Sequence, residues 1–249
     1  MKKSIIAVLI FTLAILLAPP VHATDTENLG IRVLPAPGPV TIDGKIDDWD
    51  LSGGIFVCSD VENQHDKYAT WFHAMYDAQN LYLLSRFIDD TPLNNPGQTI
   101  ANYGFAGDSL QFRVMTGAGT PQERASHWTC WQGVDQADLM DVHFGLFGRK
   151  SDYSRDLKDA KREGAQQAFL KNADGKGYVQ ELAIPWKLLT ADGQPLQAGQ
   201  QFTLTVEPNF TVGRQGRWSI KDIFKPGLTP DRVFTFHAYN CWGPATLEA

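Results

Sequence analysis

Short runs of alternating apolar and polar residues, broken by Gly, Asn, Asp and Pro, dominate this chain, and helical periodicity is scarce. From Ala69 to Tyr76, Trp71, His73 and Met75 fall on one face and Phe72, Ala74 and Tyr76 on the other. Asp77-Ala78-Gln79-Asn80 reads as a tight turn, and Leu81 to Ile88 as the return strand. Asp108 to Met115 places Leu110, Phe112 and Val114 on one side and Gln111 and Arg113 on the other. Ser126 to Trp131 predicts a strand whose two tryptophans, three apart, face opposite ways. Ala168–Asn172 and Gly177–Ile184 flank Ala173-Asp174-Gly175-Lys176, an Asp-Gly hairpin signal. Phe202–Glu207 and Val233–His237 complete the set, and Val40-Thr41-Ile42 reads as a short strand entering an Asp-Gly turn. Only the charged stretch Ser154–Gln166 looks helical, as a short helix or loop insertion. The pattern predicts an all-β fold, an antiparallel β-sandwich of jelly-roll or immunoglobulin-like type.

Three segments are expected. Residues 1–23 read as a secretory signal peptide: Lys2 and Lys3, the apolar run Ile5–Ala18, and small residues at Val21 and Ala23. The run is short for a membrane span, which needs about 20 apolar residues. Residues 24–38 read as an N-terminal leader, and 39–249 as one β-domain. The whole chain of 249 residues carries a net charge of −6, and cleavage after Ala23 removes two lysines and makes it more acidic. Such a chain repels phosphate backbones, so nucleic acid is a poor partner. Of Cys58, Cys130 and Cys241, an exported chain is expected to pair two and bury one, and the spacing leaves open which.

Candidate chemistry is sparse. Glu123, Glu181, Glu207 and Asp108 show no pairing of the kind a glycosidase needs, G-x-S-x-G and H-E-x-x-H are absent, and His65, His73, His127, His143 and His237 are scattered. Asp43, Asp47, Asp48, Asp89 and Asp90 form acidic turns that could take calcium, although turn formation accounts for them more simply.

Four segments carry a resemblance. They are Ile42-Asp43-Gly44-Lys45-Ile46-Asp47-Asp48-Trp49, the hairpin Trp71 to Leu84, Asp108-Ser109-Leu110-Gln111-Phe112, and Gly177-Tyr178-Val179-Gln180-Glu181-Leu182-Ala183-Ile184-Pro185-Trp186. In this order they resemble the family 9 carbohydrate-binding modules over roughly residues 38–240. The resemblance implies a β-sandwich that binds sugar without cutting it, as such modules usually do beside polysaccharide-degrading enzymes. In that family an aromatic pair clamps a sugar ring and polar strand residues hold its hydroxyls. The position of the first clamp tryptophan is taken by Phe105, that of a hydroxyl-binding glutamate by Gln111, and an arginine on the next strand has no counterpart. The second clamp corresponds to Trp218 or Phe224. The expected contacts are therefore Phe105, with Trp131 or Trp218, and Gln111 and Arg113 as polar groups. Trp49, Trp71 and Trp186 are expected to be structural. The haem-b-binding subunit of ethylbenzene-dehydrogenase-like enzymes resembles the same sandwich, which makes Met75, Met115, Met140 and Lys187 candidate axial ligands under that alternative. A glycosidase fragment is the third reading.

Overall fold

The computed structural model describes residues 30–58, 61–97, 104–145, 157–211 and 243–249. These residues form twelve strands of one curled sheet: β1 (Ile31–Pro35), β2 (Ile55–Val57), β3 (Tyr68–Tyr76), β4 (Asn80–Asp89), β5 (Ser109–Thr116), β6 (Arg124–Gln132), β7 (Asp138–Phe144), β8 (Lys158–Asp159), β9 (Gln166–Lys171), β10 (Tyr178–Pro185), β11 (Gln201–Asn209) and β12 (Pro244–Leu247). Their spatial order is β8-β7-β6-β5-β11-β12-β1-β3-β4-β10-β9, with β2 on the side of β3. Pairing is antiparallel except at β1, which runs parallel to both β12 and β3. The sheet folds back on itself, so β5–β7 face β3, β4 and β10 across a common core. Leu110, Phe112, Trp128, Cys130 and Val142 meet Phe72, Leu83, Leu182 and Ile184 there. Phe112 stacks on Trp128 at 5.4 Å and Phe87 on Tyr178 at 4.4 Å.

The period-2 reading therefore gives the sandwich and the inward sets of β3, β5 and β10. Four expectations change. Ile31–Pro35, inside the stretch read as a leader, is a strand joining the two halves, because Ile31 and Val33 enter the core from one face and Leu34 is buried on the other. Val40–Ile42 is not a strand. It lies in an irregular segment whose polar groups are met by side chains, as where the Thr41 N–H donates to Asp48 Oδ2 at 2.6 Å. Residues 157–166, the described part of the expected helical insertion, form β8, a turn and the start of β9, so no helix occurs there. Trp71, expected to be structural, is 41% exposed. Residues 1–23, Val233–His237, Cys241 and Trp242 lie outside the described residues. Cys130 is a free core thiol and Cys58 is buried.

Amides stitch the far ends of the sheet together. Gln167 on β9 donates to the Leu139 carbonyl at 2.8 Å, and Gln180 on β10 donates to the Cys130 carbonyl at 3.2 Å and to Gln167 Oε1 at 3.0 Å. Residues 36–54 cross the outer face of β3, β4 and β10 and enclose a second apolar cluster of Leu34, Trp49, Met75, Tyr82, Leu84 and Ala183. One carboxylate holds that covering segment. Glu181 accepts from the Asp43 N–H at 3.0 Å, from the Gly44 N–H, and from Trp49 Nε1 at 2.6 Å. Burial lifts Glu181 above the ordinary carboxylate range while these three donors hold it back. Asp77 works alike in the β3–β4 turn: Oδ1 accepts from the N–H groups of Gln79 and Asn80, Oδ2 from the Tyr82 hydroxyl, and its carbonyl from Trp186 Nε1 at 2.8 Å.

Candidate functional site

Gln111 and Arg113 point away from the core, as alternation with Leu110, Phe112 and Val114 requires, yet both are buried. They belong to a polar layer built by strand register on the outer face of β5, β6, β7 and β11. One cross-strand row runs Glu207–Gln111–Thr129–Asp141 and the next Thr205–Arg113–His127–His143. Asn209 and Ser109 extend it. All but His143 are buried. A polar layer this dry is stable only when its members satisfy one another. Gln111 Nε2 donates to Thr129 Oγ1 at 2.9 Å and lies 3.0 Å from His127 Nε2. Asn209 Nδ2 donates to Ser109 Oγ at 3.1 Å and to Gln111 Oε1 at 3.4 Å. Arg113 Nη1 meets Glu207 Oε2 at 2.6 Å, with both side chains 1% exposed. The His127 and His143 rings lie 6.3 Å apart. Burial raises the Asp141 carboxyl to about 7, against the pull of its hydrogen bonds from Thr129.

Phe105 sits half-buried in a 3₁₀ turn, Gly104–Ala106, that packs against β5 and β6 at one end of this layer. Trp131 lies beneath that turn. Its ring is fully buried, Nε1 donates to the Gly97 carbonyl at 2.9 Å, and a Cβ on Gly104 would come within 2.4 Å of the indole. Trp131 thus offers no open face in this structure and instead supports the turn that presents Phe105. Asn95 ties the same turn down, donating to the carbonyls of Gly104 at 2.6 Å and Asp108 at 3.0 Å. Asp108 Oδ1 accepts from the Thr211 N–H and Oδ2 from the Asn94 N–H, each at 2.6 Å. Burial raises the carboxyls of both Asp108 and Asp89, and for Asp108 the neighbouring Asp89 charge pushes in the same direction. Trp218 and Phe224 lie outside the described residues.

Of the expected contacts, the structure brings Gln111 and Arg113 into one network and sets Phe105 at its end. Sequence reasoning missed His127, Thr129, Asp141, Asn209 and the part played by Glu207. The alternation of Ser126–Trp131, followed through, already puts His127 and Thr129 on the Gln111 side. Strand β7, and with it Asp141, was not expected at all. The candidate haem ligands do not converge: Met140 lies in the main core, Met75 in the second cluster on the outer face of β3, Met115 is half-buried on β5, and Lys187 is exposed on the short helix Trp186–Leu189. Among the described residues no group of three or more His, Cys, Asp or Glu is placed to hold a metal, and no helix is long and apolar enough to cross a membrane. The acidic turns are internally engaged, Asp43 by Lys45 and Asp89 by the Thr91 N–H.

No family model matches the chain, and no curated protein sequence matches it. Solved structures do match. A protein from Bacteroides uniformis, provisionally assigned as carbohydrate-binding, is 11% identical with a TM-score of 0.59, the match covering 88% of this chain and 99% of that one. Two structures of a family 9 carbohydrate-binding module from Caldicellulosiruptor kristjanssonii also match. The one with glucose is 14% identical with a TM-score of 0.43, covering 88% of this chain and 96% of that one, and the one with cellotriose is 13% identical with a TM-score of 0.46, covering 88% and 94%. At such identities the likeness concerns the fold. The chain has an all-β curled sandwich, and the Bacteroides uniformis protein shares that fold.

Proposed function

We propose that the chain is a non-catalytic carbohydrate-binding module, exported and acting beside polysaccharide-degrading enzymes, and that it binds saccharide on the outer face of β5, β6, β7 and β11. One observation carries the reading: a dry layer of amide, hydroxyl, imidazole and carboxylate groups sits where an ordinary sheet face would be wetted, with an aromatic ring at its end. Sugar hydroxyls both donate and accept, so they can exchange into such a network without leaving buried groups unpaired. The ring of Phe105 would cover the apolar face of a pyranose, and both surfaces would shed water. Gln111 is the central amide, since it contacts Thr129, His127 and Asn209 together. The Arg113–Glu207 pair would fix the layer's shape and hold its charge balance. Calorimetric titration with soluble gluco-, xylo- and chito-oligosaccharides tests this. Saturable binding by the wild type, lost in Gln111→Ala with the fold retained, is the expected result. Equal binding by both proteins, or turnover of the sugar, would refute it.

A further inference from the structure

The geometry points to a second saccharide-contact surface, on the opposite side of the sandwich, that receives a polysaccharide chain lying across the strands. It consists of one cross-strand row, Phe56–Trp71–Arg86–Val179–Leu170, spanning β2, β3, β4, β10 and β9 in continuous register. The row faces outward, since its strand neighbours Phe72, Phe87 and Tyr178 point into the core. Trp71 is 41% and Leu170 48% exposed, among the most exposed large apolar side chains described, and Phe56, Arg86 and Val179 are half-buried.

The Trp71 ring is held in place, with the Phe56 ring 5.2 Å away at 53°. Arg86, half-buried on β4, stands in register between Trp71 on β3 and the aliphatic Val179 and Leu170, and its guanidinium carries five N–H donors. A pair of ring faces, one donor group and an aliphatic stretch in line suit a sugar chain, which presents both C–H faces and hydroxyls. A wall borders the row. The next row, His73–Leu84–Glu181–Ala168, lies under the covering segment. Gly54 packs so tightly on His73 that a Cβ there would fall within 2.3 Å of the ring, and Gly44, at φ +86°, abuts Leu170, where a Cβ would fall within 2.8 Å. Beside Gly44 the half-exposed Asp43 and Lys45 stand on that wall. The result is an apolar step at the foot of a polar ridge.

The size of the step decides the occupant. Five strands about 4.8 Å apart span roughly 19 Å, and the row is one side chain wide. A stable protein interface takes roughly 800 Å² from each partner, so a second copy of this chain or another folded protein would find too little here. A narrow linear chain would not. The inference rests on the carbohydrate reading for the class of ligand but uses none of the residues of the polar layer.

The test measures two retentions on the full chain: binding of soluble oligosaccharides by calorimetry, and depletion from solution by insoluble β-glucan, xylan and chitin. Trp71→Ala and Arg86→Gln are compared with Gln111→Ala, with thermal melts recorded for each. The expected result is that Trp71→Ala loses about tenfold in affinity for the insoluble polymer, as a lost stacking contact would give, and keeps the wild-type affinity for soluble oligomers. Arg86→Gln would follow in the same direction, and Gln111→Ala would lose the soluble ligand. Unchanged retention of Trp71→Ala on the polymer overturns the inference, as does an equal loss in both assays. A wild type that takes oligomers but no polymer overturns it and leaves the polar layer standing. A wild type that takes polymer through Trp71 but no oligomer supports it and refutes the polar layer. A wild type that takes neither refutes both, and a dimer abolished by Trp71→Ala would assign the surface to self-association.

Discussion

The two outer faces of the sandwich are built by the same alternation and covered in opposite ways. On β3, β4 and β10 the outward residues are largely apolar, and residues 36–54 close over them with Glu181 as the fastening point. On β5, β6, β7 and β11 the outward residues are polar and fasten one another. A carboxylate whose acceptor sites are filled by fixed N–H groups of its own chain is committed to architecture. The amides and hydroxyls of the other layer bond one another, side chain to side chain, at 2.9–3.4 Å. The segments that give the chain its family resemblance divide along the same line. Asp43–Trp49 meets Glu181, and the Asp77 turn meets Trp186, so these motifs hold the fold and say nothing of the ligand.

Four measurements can break or sharpen this contrast. Glu181→Ala should have the largest effect, since it strands three N–H donors, two of them backbone. Urea titration should show a loss of at least about 3 kcal/mol, while the protein that remains folded binds saccharide normally. Gln111→Ala should do the reverse: little change in the melt beyond about 1–2 kcal/mol, with a roughly 10- to 100-fold loss of oligosaccharide affinity by calorimetry. A pH series comes third. Asp141 titrates at about 7 in the folded protein and near 3.9 when unfolded, so the native state binds its proton more tightly. The contribution of Asp141 to stability should therefore be fully present below the ordinary carboxylate range, fall by up to about 1.4 kcal/mol per pH unit between roughly pH 4 and 7, and level off above. Asp89 and Asp108 are raised as well and act with the same sign. Asp141→Asn should flatten part of that slope, and an unchanged slope would remove Asp141 as its source. The smallest effect belongs to Phe105→Ala, a severalfold loss of affinity with the melt unchanged, as one ring contact of about 1 kcal/mol would give.

Most of the fold was legible because period-2 patterning is local. Phe72 and Ala74, Leu110, Phe112 and Val114, and Leu182 and Ile184 all declare their buried side within one strand. What the pattern hid depends on contacts distant in sequence. Leu34 reads as part of a Pro-rich leader until Tyr76 and Thr246 are placed beside its strand. Gln111 and Arg113 were expected on the far side of β5 from the core. Their burial follows from the rows they form with Glu207 and His127, which no single strand reveals. Asp141 was missed because Asp138–Phe144 mixes charged and apolar residues and only its neighbours make it a strand. Trp71 misled for the same reason: its motif marks a hairpin, and only the reach of residues 36–54 decides which outward residues stay bare.

Strand β1 has one more consequence. It joins the two halves by lying between β12 and β3, and Arg32 on it grips Glu248 across 216 positions of sequence. Contacts of such long separation are the slowest to form. Closure of the sandwich must await β12, so in an emerging chain the seam beside β1 stays open until Pro244–Leu247 can pair with it.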